Sequence, residues 1–209
     1  MSYAVKEIFY TLQGEGRNAG RAAVFCRFSG CNLWSGREED RADAACTFCD
    51  TDFVGMDGVQ GGRYPDAAAL ADTVASTWDG KAGARFVVLT GGEPLLQVDA
   101  GLIEALHARG FEIALETNGT IAPPAGIDWL AVSPKTLPLA VTGGDELKLV
   151  YPNPRIAPCE VEHLAFDHFL LQPLDSDARA ANTEAAIAYC MAHPRWRLSV
   201  QGHKEWGIP

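Results

Sequence analysis

RFVVLTGGEP, residues 85–94, is the stretch on which the fold turns. Phe86, Val87, Val88 and Leu89 make a near-continuous apolar run, the pattern of a parallel strand covered by helices on both faces. The run stops at Thr90, and Gly91-Gly92-Glu93-Pro94 follows, a segment suited to a turn and not to more strand. An apolar strand that delivers small and polar residues at its C-terminal end is the repeating unit of βα architecture.

Outward from this stretch the same pattern recurs. AAVFCRF (22–28) reads as a buried strand that ends in Ser29-Gly30-Cys31. Alternation puts Val24, Cys26 and Phe28 on one face and Phe25 and Arg27 on the other. An arginine there is costly unless it is paired, so Arg27 reaches a rim or meets an anion. FEIALET (111–117) ends in Asn118-Gly119, WLAVS (129–133) in Pro134-Lys135, and HFLLQP (168–173) carries Gln172 near its end. ELKLVY (146–151) and RLSVQ (197–201) complete the set. Between them lie three helices. Asp66 caps one running to about Trp78, a second runs from about Asp99 to Arg109 and stops at Gly110, and a third runs from Asn182, as its cap, to about Met191. Residues 1–20 show little regular pattern, and Gln13-Gly14-Glu15-Gly16 reads as a tight turn.

Six or seven mostly parallel strands with at least three helices fit a doubly wound sheet or a barrel-like array. The polar residues decide, because they fall at or just past the C-terminal ends of successive strands, where a barrel gathers its loops around one mouth. The chain is too short for eight βα units, which need ~250 residues. The expectation is an α/β fold of the incomplete TIM-barrel type, a single domain over 1–209, without linker or repeat.

Composition limits the function. At 47% hydrophobic residues the chain can bury a core, and a formal charge of −10 repels nucleic acid and anionic membrane. No apolar run approaches the ~20 residues of a membrane span. MSYAVKEIFY lacks the layout of a signal peptide, so a cytoplasmic enzyme with reduced cysteines is expected.

Cys31, Cys46 and Cys49 fall within CNLWSGREEDRADAACTFCD (31–50), the last two as a C-x-x-C pair. Three thiolates without an obvious fourth suit an iron–sulfur cluster with one open iron. Zinc remains open if Cys26, Cys159, Cys190 or a histidine joins, as does a redox-active pair.

Taken together, these motifs resemble the radical S-adenosylmethionine (SAM) superfamily. The fourteen-residue gap after Cys31, with TLQGEG (11–16), RFSGCNL (27–33), CDT (49–51), TGGEP (90–94), ETNG (116–119), SPK (133–135), LQP (171–173) and HK (203–204), resembles one family within it, 7-carboxy-7-deazaguanine synthase. The resemblance spans essentially the whole chain. It implies a radical SAM domain with a cluster-binding insertion at 31–49, and a lyase of queuosine and deazapurine biosynthesis.

Cys31, Cys46 and Cys49 would hold a [4Fe-4S] cluster. SAM would meet Phe48, Cys49, Asp50, Gly91, Gly92, Glu93, Asn118, Ser133, Pro134, Lys135 and Gln172. The implied substrate is 6-carboxy-5,6,7,8-tetrahydropterin, contacted by Leu12, Gln13, Gly14, Glu15, Arg27, Thr90 and the carboxylate of Pro209. Mg²⁺ would sit at Thr51. The implied reaction takes hydrogen from C6 of the pterin, contracts the ring, returns the hydrogen so that SAM is regenerated, and eliminates ammonia. A homodimer and an external reductant such as flavodoxin or ferredoxin are implied partners. Two rivals stand beside this reading: a radical SAM activating enzyme that acts on a protein, and a zinc-stabilised βα protein with a binding role.

Overall fold

The computed structural model describes residues 2–81 and 83–209. One nine-stranded sheet organises it. Its strands are β1 (Tyr3–Leu12), β2 (Ala22–Phe28), β3 (Gly62–Tyr64), β4 (Arg85–Gly91), β5 (Phe111–Thr117), β6 (Trp129–Val132), β7 (Gly143–Tyr151), β8 (Ala165–Pro173) and β9 (Trp196–Leu198). Their order across the sheet is β3-β1-β2-β4-β5-β6-β7-β8-β9. From β2 to β9 every neighbouring pair is parallel, and the order follows the chain. A doubly wound sheet reverses its order at a switch point; this one does not, which leaves the incomplete barrel.

The helices are α1 (Ala67–Thr77), α2 (Ala100–His107), α3 (Arg179–Ala192) and the short α4 (Gly202–Trp206). Asp66 accepts from Ala69 N at 2.9 Å, so the expected cap forms, and Asp99, expected only as the start of its helix, caps it by accepting from Leu102 N at 2.9 Å. Gly110 takes a φ of 77°, closing the segment after α2. Two cores fill the space between sheet and helices. Val24, Cys26, Phe28, Val87, Leu89 and Ile113 meet Leu70, Leu102 and Leu106 in one. Leu147, Leu149, Phe169, Leu171, Ala186 and Trp196 form the other. Phe25, Phe86, Val88 and Ala114 pack separately, on the opposite face of the sheet, which leads to the mouth.

The first twenty residues depart from expectation. They hold the ten-residue strand β1, antiparallel to β2 and to the three-residue edge strand β3. A register shift between Val5 and Glu7 breaks the alternation, so Val5 and Ile8 are both buried although three residues apart. Lys6 is buried beside them, with its ammonium paired to Asp52 at 2.9 Å and Asp57 at 2.7 Å. Among the described residues the sheet therefore has nine strands, where six or seven were expected. α3 starts at Arg179, and Asn182 is not its cap. Asn182 lies buried in the first turn, where its amide donates to Leu174 O at 2.8 Å and Ser176 Oγ at 3.2 Å. β9 covers Trp196–Leu198 and ends before Ser199.

Asp99 also accepts from the Tyr3 hydroxyl at 2.7 Å, tying α2 to β1. Asp99→Ala removes a cap worth about 1 kcal/mol and a side-chain hydrogen bond worth about 1 kcal/mol. At this size the expected fall in Tm is roughly 4–8 °C. Asp99→Asn keeps an acceptor for both donors and is expected to melt near the parent temperature.

Candidate functional site

The C-terminal ends of β2, β4, β5, β6, β7 and β8 open into one cavity of about 370 Å³, within the ~300–1,000 Å³ usual for small-molecule sites. The turn 12–15, the segment 48–52 and residues 201–209 complete its wall. Of the residues singled out in the sequence, Leu12, Gln13, Gly14, Glu15, Arg27, Phe48, Cys49, Asp50, Thr51, Thr90, Gly91, Gly92, Asn118, Ser133, Lys135, Gln172 and Pro209 line it. Glu93, Pro134, Cys31 and Cys46 stand behind that lining.

Glu93 is 0% exposed. Its carboxylate accepts from Leu95 N at 3.0 Å, Thr117 Oγ1 at 2.8 Å and Asn118 N at 2.8 Å. Burial pushes its pKa up, and the three donors and Lys135 oppose that rise. Glu93 therefore ties the turn after β4 to the end of β5 and presents nothing to the cavity. The turn in turn presses on the cysteine segment: a Cβ on Gly92 would lie 2.3 Å from Gly30 O and 2.8 Å from Cys31 Cβ, so only glycine fits.

The cysteine segment has a small core of its own, where Trp34 meets Phe53 edge-on at 5.6 Å and Cys31 and Cys49 pack against them. A hydrogen bond between Cys46 and Cys49 lowers the Cys49 thiol to about 6 and pushes Cys46 up. The half-buried Lys135 faces this pair. Its ammonium donates to Ser133 O at 2.9 Å and to Ser133 Oγ, and lies 5.9 Å from the centre of the Phe48 ring. Burial lowers its pKa, and the two nearby thiols oppose that. All six cysteines are free; Cys26 is buried in the core and Cys159 is exposed. Among the described residues no three His, Cys, Asp or Glu side chains converge closely enough for one metal ion. Cys31 packs against Gly92 and Cys49 lines the cavity, and three cysteine thiolates are the donor chemistry of a [4Fe-4S] cluster that keeps one iron open.

The opposite wall is charged. Gln13 Nε2 donates to Glu116 Oε1 at 3.0 Å, while Gln13 Oε1 accepts from Glu15 N at 3.0 Å. Thr90 Oγ1 donates to Glu116 Oε2 at 3.0 Å. Glu15 pairs with the buried Lys148 and accepts from Gln201 Nε2 at 3.1 Å. Arg27 Nε donates to Glu7 Oε1 at 2.8 Å; among the described residues its two terminal nitrogens have no hydrogen-bond partner. Arg27 thus both reaches a carboxylate and keeps its fork toward the cavity. Asn118 Nδ2 donates to Asn32 Oδ1 at 2.9 Å, and Gln172 Oε1 accepts from Ser199 Oγ at 3.2 Å. The carboxylates beside Thr51 are committed, Asp50 to Lys204 at 2.7 Å and Asp52 to Lys6 at 2.9 Å. Pro209 O accepts from Thr11 Oγ1 at 3.2 Å.

Sequence reasoning gave no role to Glu7, Glu116, Lys148, Gln201 and Lys204, although Glu116 and Lys204 stand in the ETNG and HK motifs. The signal for two of them was present. FEIALET puts Glu112, Ala114 and Glu116 on one strand face, and ELKLVY puts Glu146 and Lys148 opposite Leu147 and Leu149. Charges alternating with leucines in a buried strand mark a polar inner face.

The description "Radical SAM superfamily" matches residues 41–160. A 7-carboxy-7-deazaguanine synthase of Bradyrhizobium diazoefficiens is 66% identical over 209 residues, covering 100% of both chains. One from Bordetella pertussis is 62% identical over 210 residues, again covering 100% of both. Among solved structures, QueE from Escherichia coli superposes with a TM-score of 0.69 at 25% identity, covering 97% of this chain and 95% of that one. Among the described residues no helix is long and apolar enough to cross a membrane.

Lys148 is the test of the charged wall. Burial lowers its pKa, but Glu15, Glu116 and Glu146 outweigh that and raise it. Burial would raise Glu15, yet Lys148 brings it below the usual carboxylate range. A depressed carboxylate contributes stability that is present above the unfolded value, ~4.3, and lost as pH falls through the folded one. Lys148→Met strips the partner and reverses the sign, since a buried unpaired Glu15 favours its neutral form. The expected loss is about 3–5 kcal/mol at pH 8 and clearly less at pH 5, read by thermal melts at both values.

Proposed function

The chain belongs to the 7-carboxy-7-deazaguanine synthase family of the radical SAM superfamily, and from that membership we propose how its cavity carries out the family's reaction. The protein is a lyase of queuosine biosynthesis that converts 6-carboxy-5,6,7,8-tetrahydropterin to 7-carboxy-7-deazaguanine with loss of ammonia. The observation that carries the site assignment is that one cavity has a cysteine-and-glycine wall on one side and a charged wall on the other.

Cys31, Cys46 and Cys49 would hold the [4Fe-4S] cluster in a 31–49 insertion of one domain, and Thr51 would take Mg²⁺. Bound there, the cluster with SAM would supply reductive, radical-generating chemistry, and Mg²⁺ would supply a hard positive charge. Phe48 offers a flat face for an adenine, and Gly91 and Gly92 allow close backbone approach. Cys49, Asp50, Ser133, Lys135, Asn118 and Gln172 give polar contacts around SAM. Glu93 and Pro134 act from behind, by shaping the turns. Because Asp50 and Asp52 are held by lysines, Thr51 brings one hydroxyl to Mg²⁺, and the ion depends on the substrate for further oxygens.

On the charged wall, the free fork of Arg27 suits the substrate carboxylate. Leu12, Gln13, Gly14 and Glu15 cover the pterin. Glu15, held ionised by Lys148, accepts from an aminopyrimidine edge, and Thr90 adds a hydroxyl. Pro209 stands at the rim, where its carbonyl group is anchored by Thr11. A homodimer, a cytoplasmic setting and an external reductant such as flavodoxin or ferredoxin complete the reading. A protein-activating enzyme needs an open groove, which a cavity of about 370 Å³ between strand ends does not favour.

Anaerobic reconstitution is expected to give iron and sulfide near four per chain, with SAM turnover that depends on the pterin. One zinc without iron would contradict the assignment. Arg27→Ala removes charge-assisted bonds worth about 1.5–3 kcal/mol, so KM for the pterin is expected to rise roughly 10–100-fold with iron content unchanged. Loss of iron in that variant would show that Arg27 serves the cysteine segment instead.

A further inference from the structure

A second chamber, of about 10 Å³, shares a wall with the substrate cavity. That is room for one water molecule. Gln13, Glu15, Glu116 and Ala131 line both spaces, whereas Asn18 and Glu146 line only the second. The reaction assigned above makes no use of Glu146. It is 3% exposed, and its Oε2 accepts from Arg17 N at 2.8 Å. Its carboxylate lies so close to Gly16, φ 70°, that a Cβ there would sit 2.4 Å from Oε1.

A second observation points to what fills the chamber. Asn18 Oδ1 accepts from Arg21 Nη1 at 2.9 Å, which fixes the amide's orientation. Its Nδ2 is buried and, among the described residues, has no partner. An unsatisfied buried donor costs about 1–3 kcal/mol, which one water relieves by accepting from it. The same water has two protons to donate; of the three carboxylates that line the chamber, Glu15 is paired with Lys148, which leaves Glu116 and Glu146 as its acceptors.

We propose that Glu146 and Glu116, joined by one water in this chamber, form a proton relay for the loss of ammonia. The inference rests on the reaction assigned above. Glu116 touches the substrate cavity and is the group that meets the reacting amine; Glu146 acts through it. Glu146 gives a proton to the water as the water gives one to Glu116, so Glu146 becomes a carboxylate and Glu116 an acid. Glu116 then protonates the departing nitrogen, which takes the C–N bonding pair and leaves as ammonia. The Glu116 carboxylate accepts the ring proton whose C–H pair becomes the new double bond, and the relay returns that proton to Glu146. No oxidant or reductant is needed.

The surroundings suit this role. Lys148 on the same strand, Glu116 on β5, and Glu15 and Arg17 on the first turn face Glu146, and His168 pairs with it in register on β8. Burial raises the Glu146 pKa, and Lys148 opposes that only in part, so it holds a proton more readily than an exposed carboxylate.

Two variants test the relay in the reconstituted enzyme. Glu146→Gln keeps the shape and an acceptor for Arg17 N but cannot pass a carboxyl proton. Ala114→Val fills the chamber, changes no ionisable group and lies outside the substrate cavity. Each is expected to lower kcat for ammonia release roughly 10–100-fold with KM unchanged, to alter the solvent isotope effect, and to leave earlier hydrogen exchange into SAM intact. The double variant is expected to be no slower than the slower single one. Independently of activity, a crystal structure of the parent is expected to show a water bonded to Asn18, Glu116 and Glu146, and that of Ala114→Val none. Parent-like kcat in Glu146→Gln, a loss confined to KM, or a dry parent chamber would each overturn the relay and leave Glu146 as an anchor for the first turn. Absence of product from the parent enzyme would instead overturn the reaction assignment, while the chamber water still tests the geometry.

Discussion

A buried carboxylate holds the mouth of this barrel in shape. Glu93 sits where no water reaches it, and it is stabilised by two backbone N–H groups and the Thr117 hydroxyl. Hydrogen bonds to a charged group are worth about 1.5–3 kcal/mol each, enough to offset the cost of burying the charge only when several are made. The result is a rigid link between the ends of β4 and β5. With that link in place, Gly92 can press against Cys31, and the cysteine segment has a fixed floor. Remove it and the two walls of the cavity lose their common reference.

The two walls differ in electrostatic character. On the cysteine side, one half-buried lysine, Lys135, faces two thiols that share a hydrogen bond, which suits a site that gathers thiolates. On the far side Lys148 is surrounded by Glu15, Glu116 and Glu146. The free fork of Arg27 adds positive charge where an anionic substrate group would lie, within a chain whose net charge is −10. Local arrangement, not net charge, makes this protein a binder of small anions.

Much of this was legible in the sequence. The strand ends with Thr90, Thr117 and Lys135 appear where the runs of apolar residues stop, and parallel order brings them together without further information. Asp66 announced its helix through capping chemistry, and Gly110 marked the end of the next. Other features were not legible, for identifiable reasons. β1 was hidden because a bulge at Val5–Glu7 shifts its period, and because a lysine occupies a buried position through partners some fifty residues away. Asn182 looked like a cap, but its amide closes the preceding loop from inside the helix. Arg27 was expected to find an anion, and the nearer one is Glu7, on a strand the alternation did not reveal. The inner-face charges Glu116 and Lys148 lay in plain view in an alternating pattern, overshadowed by the apolar content of their strands.

The central claim is that one cavity holds SAM against the cysteine wall and the pterin against the charged wall, close enough for hydrogen to pass between them. Turnover of substrate deuterated at C6, with SAM recovered and analysed for label, tests that contact most directly. The account predicts deuterium in recovered SAM, accumulating with product. Full turnover with no label in SAM would contradict it.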